Sequence, residues 1–281
     1  MSISYVIRTC NADFTSRNDF KWPALGEVVC PDFEASQECG AGLHGFLDGC
    51  GDGSLASWKS DAQWLLVAVP TDMLIDLEGK VKFPSGEVVF SSQDRLTVIA
   101  ELERLNPETR NEPVIGAVRS SMKKGAHVFT GDYGTSTSGD YGTSTSGKYG
   151  TSNSGEGGTS TSGNSGTATS GVYGTSTSGA WGTSISGNGG TSISAHCGTS
   201  TSGDFGTSIS MDLGTSISGA HGTSTVGFSG KAKSGLNGNL IFFYHDDKIG
   251  YRKSASFFVD GVTVKADTFY RCENGQLVEV F

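Results

Sequence analysis

His44 is the residue of this chain best suited to proton chemistry. It sits in the run Cys39-Gly40-Ala41-Gly42-Leu43-His44-Gly45, and a glycine-flanked imidazole can serve as a general base or meet a phosphate. No acidic residue or nucleophile stands at a diagnostic spacing from it, so His44 is only a weak catalytic candidate, and a histidine tying down a tight turn is the simpler reading. Asp48 and Asp52 are near it in a glycine-rich loop. Cys30, Cys39 and Cys50 together with His44 offer metal-ligand types, but the chain has no Cys-x-x-Cys pair, and no metal site and no cofactor are predicted. With Cys10, Cys197 and Cys272 the cysteines number six; free thiols in a reducing compartment are expected.

The other residues able to act collectively are hydroxyls. Twelve consecutive octads run from Gly131 to Val226, built on x-x-Gly-Thr-Ser-Thr-Ser-Gly. An eight-residue unit cannot bury a core alone and must complete its hydrogen bonds on its neighbours, as solenoids do. Eight residues are too few for two strands and two corners, so two octads, about 16 residues, are predicted to make one coil, and twelve octads six coils. With strands about 4.8 Å apart the rod would be roughly 29 Å long.

Side chains alternate along a strand, so Thr135 and Thr137 point one way and Ser136 and Ser138 the other. Only Ser or Ala fits a narrow interior, where serines can join one another in ladders between coils. Threonine, and the isoleucines at 185, 193, 209 and 217, suit the outside of a strand. Glycine is expected to supply the turn by positive φ or close backbone approach. The two remaining positions vary freely and face solvent, and their aromatics, Tyr133, Tyr141, Tyr149, Tyr173, Trp181 and Phe205, are candidate partner-binding anchors. Stacking at the coil corners is their alternative role. A disordered linker would have no reason to hold Gly, Thr and Ser in register.

The flanks must position and close this rod. Residues 1–112 read as an α+β domain. It has a strand near Ser4 to Arg8, a strong strand at Trp64 to Val69, and a hairpin of Lys80–Phe83 and Glu87–Phe90 around Pro84-Ser85-Gly86. A helix follows over Gln93 to Leu105, capped by Ser92, with Leu96, Ile99, Ala100, Leu102 and Leu105 as its stripe, ended by Asn106-Pro107. Residues 113–130 read as linker or first cap, 131–238 as the solenoid, and 239–281 as a β-meander cap with strands at Asn239–Tyr244, Ser254–Val259, Val262–Val264, Phe269–Arg271 and Leu277–Phe281. The predicted fold class is mainly β: a β-solenoid between an N-terminal α+β domain and a C-terminal β cap.

The net charge of −9 argues against a nucleic-acid groove, whose affinity rests on Lys and Arg. The start lacks the pattern of a secretory signal and no apolar run reaches the ~20 residues needed to span a bilayer. A cytoplasmic protein without membrane contact is expected, and open sheet edges would allow a homo-oligomer through the solenoid.

The layout resembles a family of uncharacterised phage and bacterial proteins with a small N-terminal domain, a Gly/Ser/Ala/Thr repeat and a C-terminal β segment. The residues that carry the resemblance are Cys39-Gly40-Ala41-Gly42-Leu43-His44, and Val259-Asp260-Gly261 through Thr268-Phe269-Tyr270 to Gly275-Gln276-Leu277-Val278-Glu279. It implies phage or prophage origin and no activity. Separately, Thr135-Ser136-Thr137 and its copies resemble the octads of bacterial ice-nucleation proteins, and Tyr133, Tyr141, Tyr149 and Tyr173 resemble their tyrosine column. Asn153 and the four isoleucines interrupt the second threonine column.

Three functions are compatible with these features. The first is a non-enzymatic protein whose rigid solenoid engages a macromolecular, most simply protein, partner; for a phage protein, this would be an inhibitor of a host defence system. The second is ice binding of the ice-nucleation type, by regularly spaced threonines. The third is a nucleotide-acting enzyme in the N-terminal domain around His44.

Overall fold

The computed structural model describes residues 2–246 and 251–280; Met1 and the predicted strand end at Phe281 lie outside the described residues. The chain divides into two units. One comprises Met1–Val118 with Thr130–Gly134, the other Arg119–Phe129 with Thr135–Phe281. The boundary therefore interleaves: residues 119–129 already belong to the solenoid unit, whereas 130–134 return to the first.

The first unit contains β1 (Ile3–Cys10), β2 (Gly26–Val29), β3 (Leu43–Leu47), β4 (Gln63–Pro70), β5 (Ile75–Asp76), β6 (Val81–Phe83), β7 (Ser85–Ser92) and α1 (Arg95–Leu105). The strand order is β2-β7-β4-β1-β3-β6-β5. The run Trp64 to Val69 forms the centre of the sheet, paired with β1 and β7 and buried almost throughout. Its alternation feeds two apolar clusters. Leu65, Val67 and Val69 join Val6, Val81, Phe83 and Val88 on one face; Trp64 and Leu66 join Ile7 and Phe46 under α1 on the other.

The hairpin expected around Pro84 does not form. β6 pairs with β3 and β5, and β7 with β4 and β2, four places away in the sheet. Yet Pro84 alone separates them. Two Cα steps span less than about 7.6 Å, whereas four strand steps in a flat sheet span about 19 Å, so the sheet must curl back on itself, with β6 and β7 as one bent strand closing it. Pro84 donates nothing to a ladder, and its carbonyl accepts from the Cys30 N–H at 2.8 Å. Gly86 is there for proximity: a Cβ on it would stand 2.8 Å from the Ala68 carbonyl and 2.9 Å from Val67.

Helix α1 begins two residues later than its expected first residue. Asp94, not Ser92, is its cap, accepting from Leu96 N–H at 3.0 Å, while Ser92 Oγ accepts from Asp94 N–H at 3.0 Å. Its buried face is Val98, Ile99 and Leu102. Leu96 and Ala100 are exposed because the helix meets the sheet one residue round from the predicted stripe.

In the second unit the octads form four-residue strands from Thr135–Ser138 onward. Each pairs in parallel and in register with the strand 16 residues on, as in Thr143↔Thr159 and Ser144↔Ser160. Alternate octads thus build two sheets, of ten and nine strands once the terminal hairpins are counted. The coils exceed the six expected. Val118–Ser121 and His127–Phe129 precede the octads, and Lys231–Ser234 and Asn239–Asp246 continue them. Sixteen strands make eight coils, a stack of roughly 38 Å at about 4.8 Å per strand.

The serines face inward, nearly all of them fully sealed, as in Ser136, Ser144, Ser176 and Ser200. Their hydroxyls mostly bond across the interior, between sheets, rather than along axial columns. Ser144 Oγ donates to Ser138 Oγ at 2.9 Å, Ser184 to Ser178 at 2.9 Å and Ser200 to Ser194 at 2.8 Å. The same hydroxyls meet carbonyls of the facing sheet, as Ser160 Oγ meets Thr169 O at 2.6 Å. Axial neighbours lie a full strand spacing apart, too far for most pairs to bond directly; Ser194 and Ser210, 2.9 Å apart, are an exception.

At the far end the hydroxyl interior gives way to hydrocarbon. Val226 takes a Ser210 register position, Ala232 that of Ser216, and Leu240 that of Ser224, and these pack with Phe242, Val259, Val264 and Tyr270. The cap is two hairpins, one per sheet, not one meander: Asn239–Asp246 with Tyr251–Phe258, and Tyr270–Glu273 with Gln276–Glu279. Val262–Val264 is not a strand, because Asp260 Oδ1 gathers the N–H groups of Val262, Thr263 and Val264 at 2.8, 2.8 and 3.0 Å into a turn.

Candidate functional site

Inward serine forces threonine outward, so each sheet displays two columns of β-branched side chains, separated along the strand by two residues (about 6.7 Å) and along the axis by about 4.8 Å. The two faces are unequal. On the nine-stranded face the inner rungs read Thr143/Thr145, Thr159/Thr161 and Thr175/Thr177, then Thr191/Ile193 and Thr207/Ile209, then Thr223/Thr225. Three successive complete Thr-x-Thr rungs are contiguous there. On the ten-stranded face every second rung is broken, by Asn153, Ile185 and Ile217, and Lys231 and Lys233 close the columns, their ammonium groups 4.7 and 4.9 Å from the Phe269 ring centre. The sheet to which an interruption belongs follows from the parity of its octad, a signal present in the sequence once the 16-residue coil is known.

Of the two expected roles for glycine at the corners, the structure uses close backbone approach. Gly206 and its equivalents do not adopt positive φ; a Cβ on Gly206 would lie 2.7 Å from Ser202 Cβ and 2.9 Å from the Gly190 carbonyl, so close approach is what excludes a side chain. The left-handed position is the residue before, including Tyr141 at φ 55°, Tyr173 at 57°, Trp181 at 53° and Phe205 at 56°. The other corner residue is not free either. Asp140, Asn164, Asn188, Asp204 and Asp212 each accept, through Oδ1, the N–H sixteen residues on, at 2.8–3.1 Å, stapling coil to coil.

Of the candidate anchors, Tyr141, Tyr149, Tyr173, Trp181 and Phe205 are more than half exposed. They occupy two corners: Tyr141, Tyr173 and Phe205 recur every 32 residues along one, Tyr149 and Trp181 along the other. The rings of Tyr141 and Tyr173 lie over Gly157 and Gly189 of the next coil, Phe205 stacks on His221 at 4.9 Å, and Trp181 meets His196 edge-on at 6.2 Å. Tyr133 is different. It belongs to the first unit, half-buried and stacked on Trp58 at 4.1 Å, so it is not a display position; beside it Asp132 accepts from Gly53 N–H at 3.1 Å.

His44 lies in the first unit with its Nε2 buried and without a hydrogen-bond partner. Burial, with Lys80, Arg8 and Lys82 nearby, pushes its pKa down to about 4, against a hydrogen bond to the Gly42 backbone. The ring is neutral at physiological pH. Asp48 and Asp52 serve structure: the first accepts from Asn106 Nδ2 at 3.0 Å, and the second caps a short helical turn through Ser54 N–H at 3.1 Å. Cys39 Sγ lies 3.0 Å from Lys80 Nζ, and that contact lowers its pKa. All six thiols are free. Among the described residues no cluster of His, Cys, Asp and Glu could hold a metal ion, and no helix is long and apolar enough to cross a membrane.

Fold and surface together define a β-solenoid of 16-residue coils with in-register threonine faces. Comparison with known proteins adds a likeness confined to a part of the chain. An 86-residue stretch, 30% of the chain, is 35% identical to an ice nucleation protein of Xanthomonas campestris pv. translucens. It is 33% identical to the ice nucleation protein InaU of Pantoea ananas and to an ice nucleation protein of Enterobacter agglomerans. The chain spans only 6–8% of the length of these curated relatives. No family model matches the chain, and no solved structure matches it.

Proposed function

We propose that the solenoid is an ice-binding element of the ice-nucleation type, acting through its nine-stranded threonine face. The observation that carries this is the block of complete Thr-x-Thr rungs, Thr143/Thr145, Thr159/Thr161 and Thr175/Thr177, held in parallel register. A rigid two-dimensional array of hydroxyls and methyls orders adjacent water without further reorganisation, because the strands beneath are already fixed. Ordering water requires no catalytic group. The relatives' names support the same reading over the host-defence inhibitor suggested by the phage resemblance. Eight coils form a small patch, so the expected activity is shaping or slowing growing ice more than nucleating it at high temperature.

Ice-growth microscopy and droplet freezing test the proposal. The protein is expected to facet ice crystals, and a Thr145→Lys/Thr161→Lys/Thr177→Lys variant to lose that effect while keeping its far-ultraviolet circular dichroism. Ice growing as in buffer around the folded wild-type protein would sink the idea.

A second reading, a macromolecular partner docking on a solenoid corner, is favoured by one observation. Tyr141, Tyr173 and Phe205 keep large exposed rings in left-handed backbone, a conformation that costs a non-glycine residue roughly 1 kcal/mol or more. A partner retained by the wild type and lost by Tyr173→Ser would support it; equal retention by both would refute it.

A further inference from the structure

The first unit holds a cavity of about 360 Å³ that the solenoid reading leaves unused. Its wall carries the cations Arg8, Arg17 and Lys80, with the neutral His44 beside them, against one carboxylate, Asp32. Strand alternation places Arg8 on the same side of β1 as the buried Val6 and Cys10, which belong to the apolar cluster inside the curled sheet. A guanidinium directed toward that side is costly unless something pairs with it. Its carbon lies 5.6 Å from the Trp22 ring centre, yet its Nε is buried with no hydrogen-bond partner, as is Nε2 of His44. Buried polar groups are almost always paired. Two such atoms belong to residues lining one cavity with an excess of cations.

We propose that this cavity binds a phosphate monoester carrying a flat, apolar body. The phosphate is held by the charges of the Arg8 guanidinium, Lys80 and Arg17, all of which line the cavity; guanidinium groups suit phosphate because their donors form a planar fork. Phe20 and Trp22 line the same space and provide an apolar wall for the remainder of the ligand. The volume is at the small end of ligand pockets, about 300–1,000 Å³, which suits a phosphorylated small molecule and excludes a folded partner.

Calorimetric titration of the full chain with phenyl phosphate, inorganic phosphate and the uncharged phenol tests this. Phenyl phosphate is expected to bind with 1:1 stoichiometry, inorganic phosphate more weakly at the same place, and phenol not measurably. Arg8→Gln is expected to weaken phenyl phosphate at least tenfold. Because Arg8 lies in a central strand, Lys80→Gln, at a half-buried position, repeats the test should the first variant fail to fold, with severalfold weakening expected. No saturable binding of phenyl phosphate at millimolar concentration, phenol binding as well as phenyl phosphate, or unchanged affinity in folded variants would each overturn the proposal. Ice growth is read out separately, so failure here leaves the solenoid proposal standing.

Discussion

In the first unit the side chains sealed from water include Ile7, Leu65, Leu66, Val67, Phe83 and Leu102; in the solenoid the equally sealed positions include Ser136, Ser144, Ser160, Ser176, Ser192 and Ser208. One interior is held by removing hydrocarbon from water, at about 25 cal/mol per Å². The other buries little hydrocarbon, and its integrity rests on every hydroxyl and backbone group finding a partner. A volume change therefore harms each differently: a cavity weakens the first, whereas any added bulk or any unpaired hydroxyl weakens the second. The C-terminal end of the solenoid shows the transition between the two modes, where Val226, Leu240 and Phe242 replace serine in the same register.

The contrast can be broken first at Phe83. Phe83→Ala is expected to destabilise the first unit by about 3–5 kcal/mol and to leave the solenoid's calorimetric transition in place; a single transition moving as a whole would erase the distinction. In the solenoid the matching change is Ser200→Leu, which inserts bulk where the facing Ser194 hydroxyl is 2.8 Å away. A loss of about 3 kcal/mol or more is expected from overpacking and the stranded hydroxyl, read as a lowered midpoint in denaturant. The same substitution improving stability would mean that the interior has room that the structure does not show.

Acid should separate the units next. His44 is neutral when folded and titrates near 4, below its ordinary 6.5, so the unfolded chain binds the extra proton first. By linkage, stability contributed at higher pH is lost as pH falls from about 6.5 through 4. Lys80, Arg8 and Lys82 face His44 and reinforce that direction. Thermal melts across this window are expected to show the loss in wild type and less of it in His44→Gln.

The smallest effect is a gain. Ala168 stands where the other octads carry serine, and Ser162, whose counterparts pair across the interior as Ser178 does with Ser184, has no partner for its hydroxyl. Ala168→Ser should restore that bond and add about 1 kcal/mol. A melting temperature unchanged or lowered would show that the hydroxyl pairs contribute nothing net.

How far the sequence could be read tracks how local each feature is. The octad period, the pairing of octads into coils, and the division of serine inward and threonine outward all follow from alternation and available width. Octad register marked Lys231–Ser234, where Ala232 and Ser234 keep the interior positions without the full motif, but not the additional rungs at Val118–Ser121 and His127–Phe129, which precede the first octad and carry none of it. Pro84-Ser85-Gly86 reads as a turn, although the residues are used for a bend and a close approach. Tyr133 reads as a repeat position because its neighbours carry the motif, yet Trp58 holds it in the other unit.

The sequence by itself determined the period of the rod, the polarity of its two surfaces and the positions of the threonine columns, because these depend on spacing along a few residues and on side-chain size. Only the tertiary structure decided that β6 and β7 close a curled sheet, that serine hydroxyls bond between sheets, and that Arg8 and His44 line one cavity. Each of these joins residues distant in the chain, and nothing in local propensity or periodicity specifies which distant strands meet.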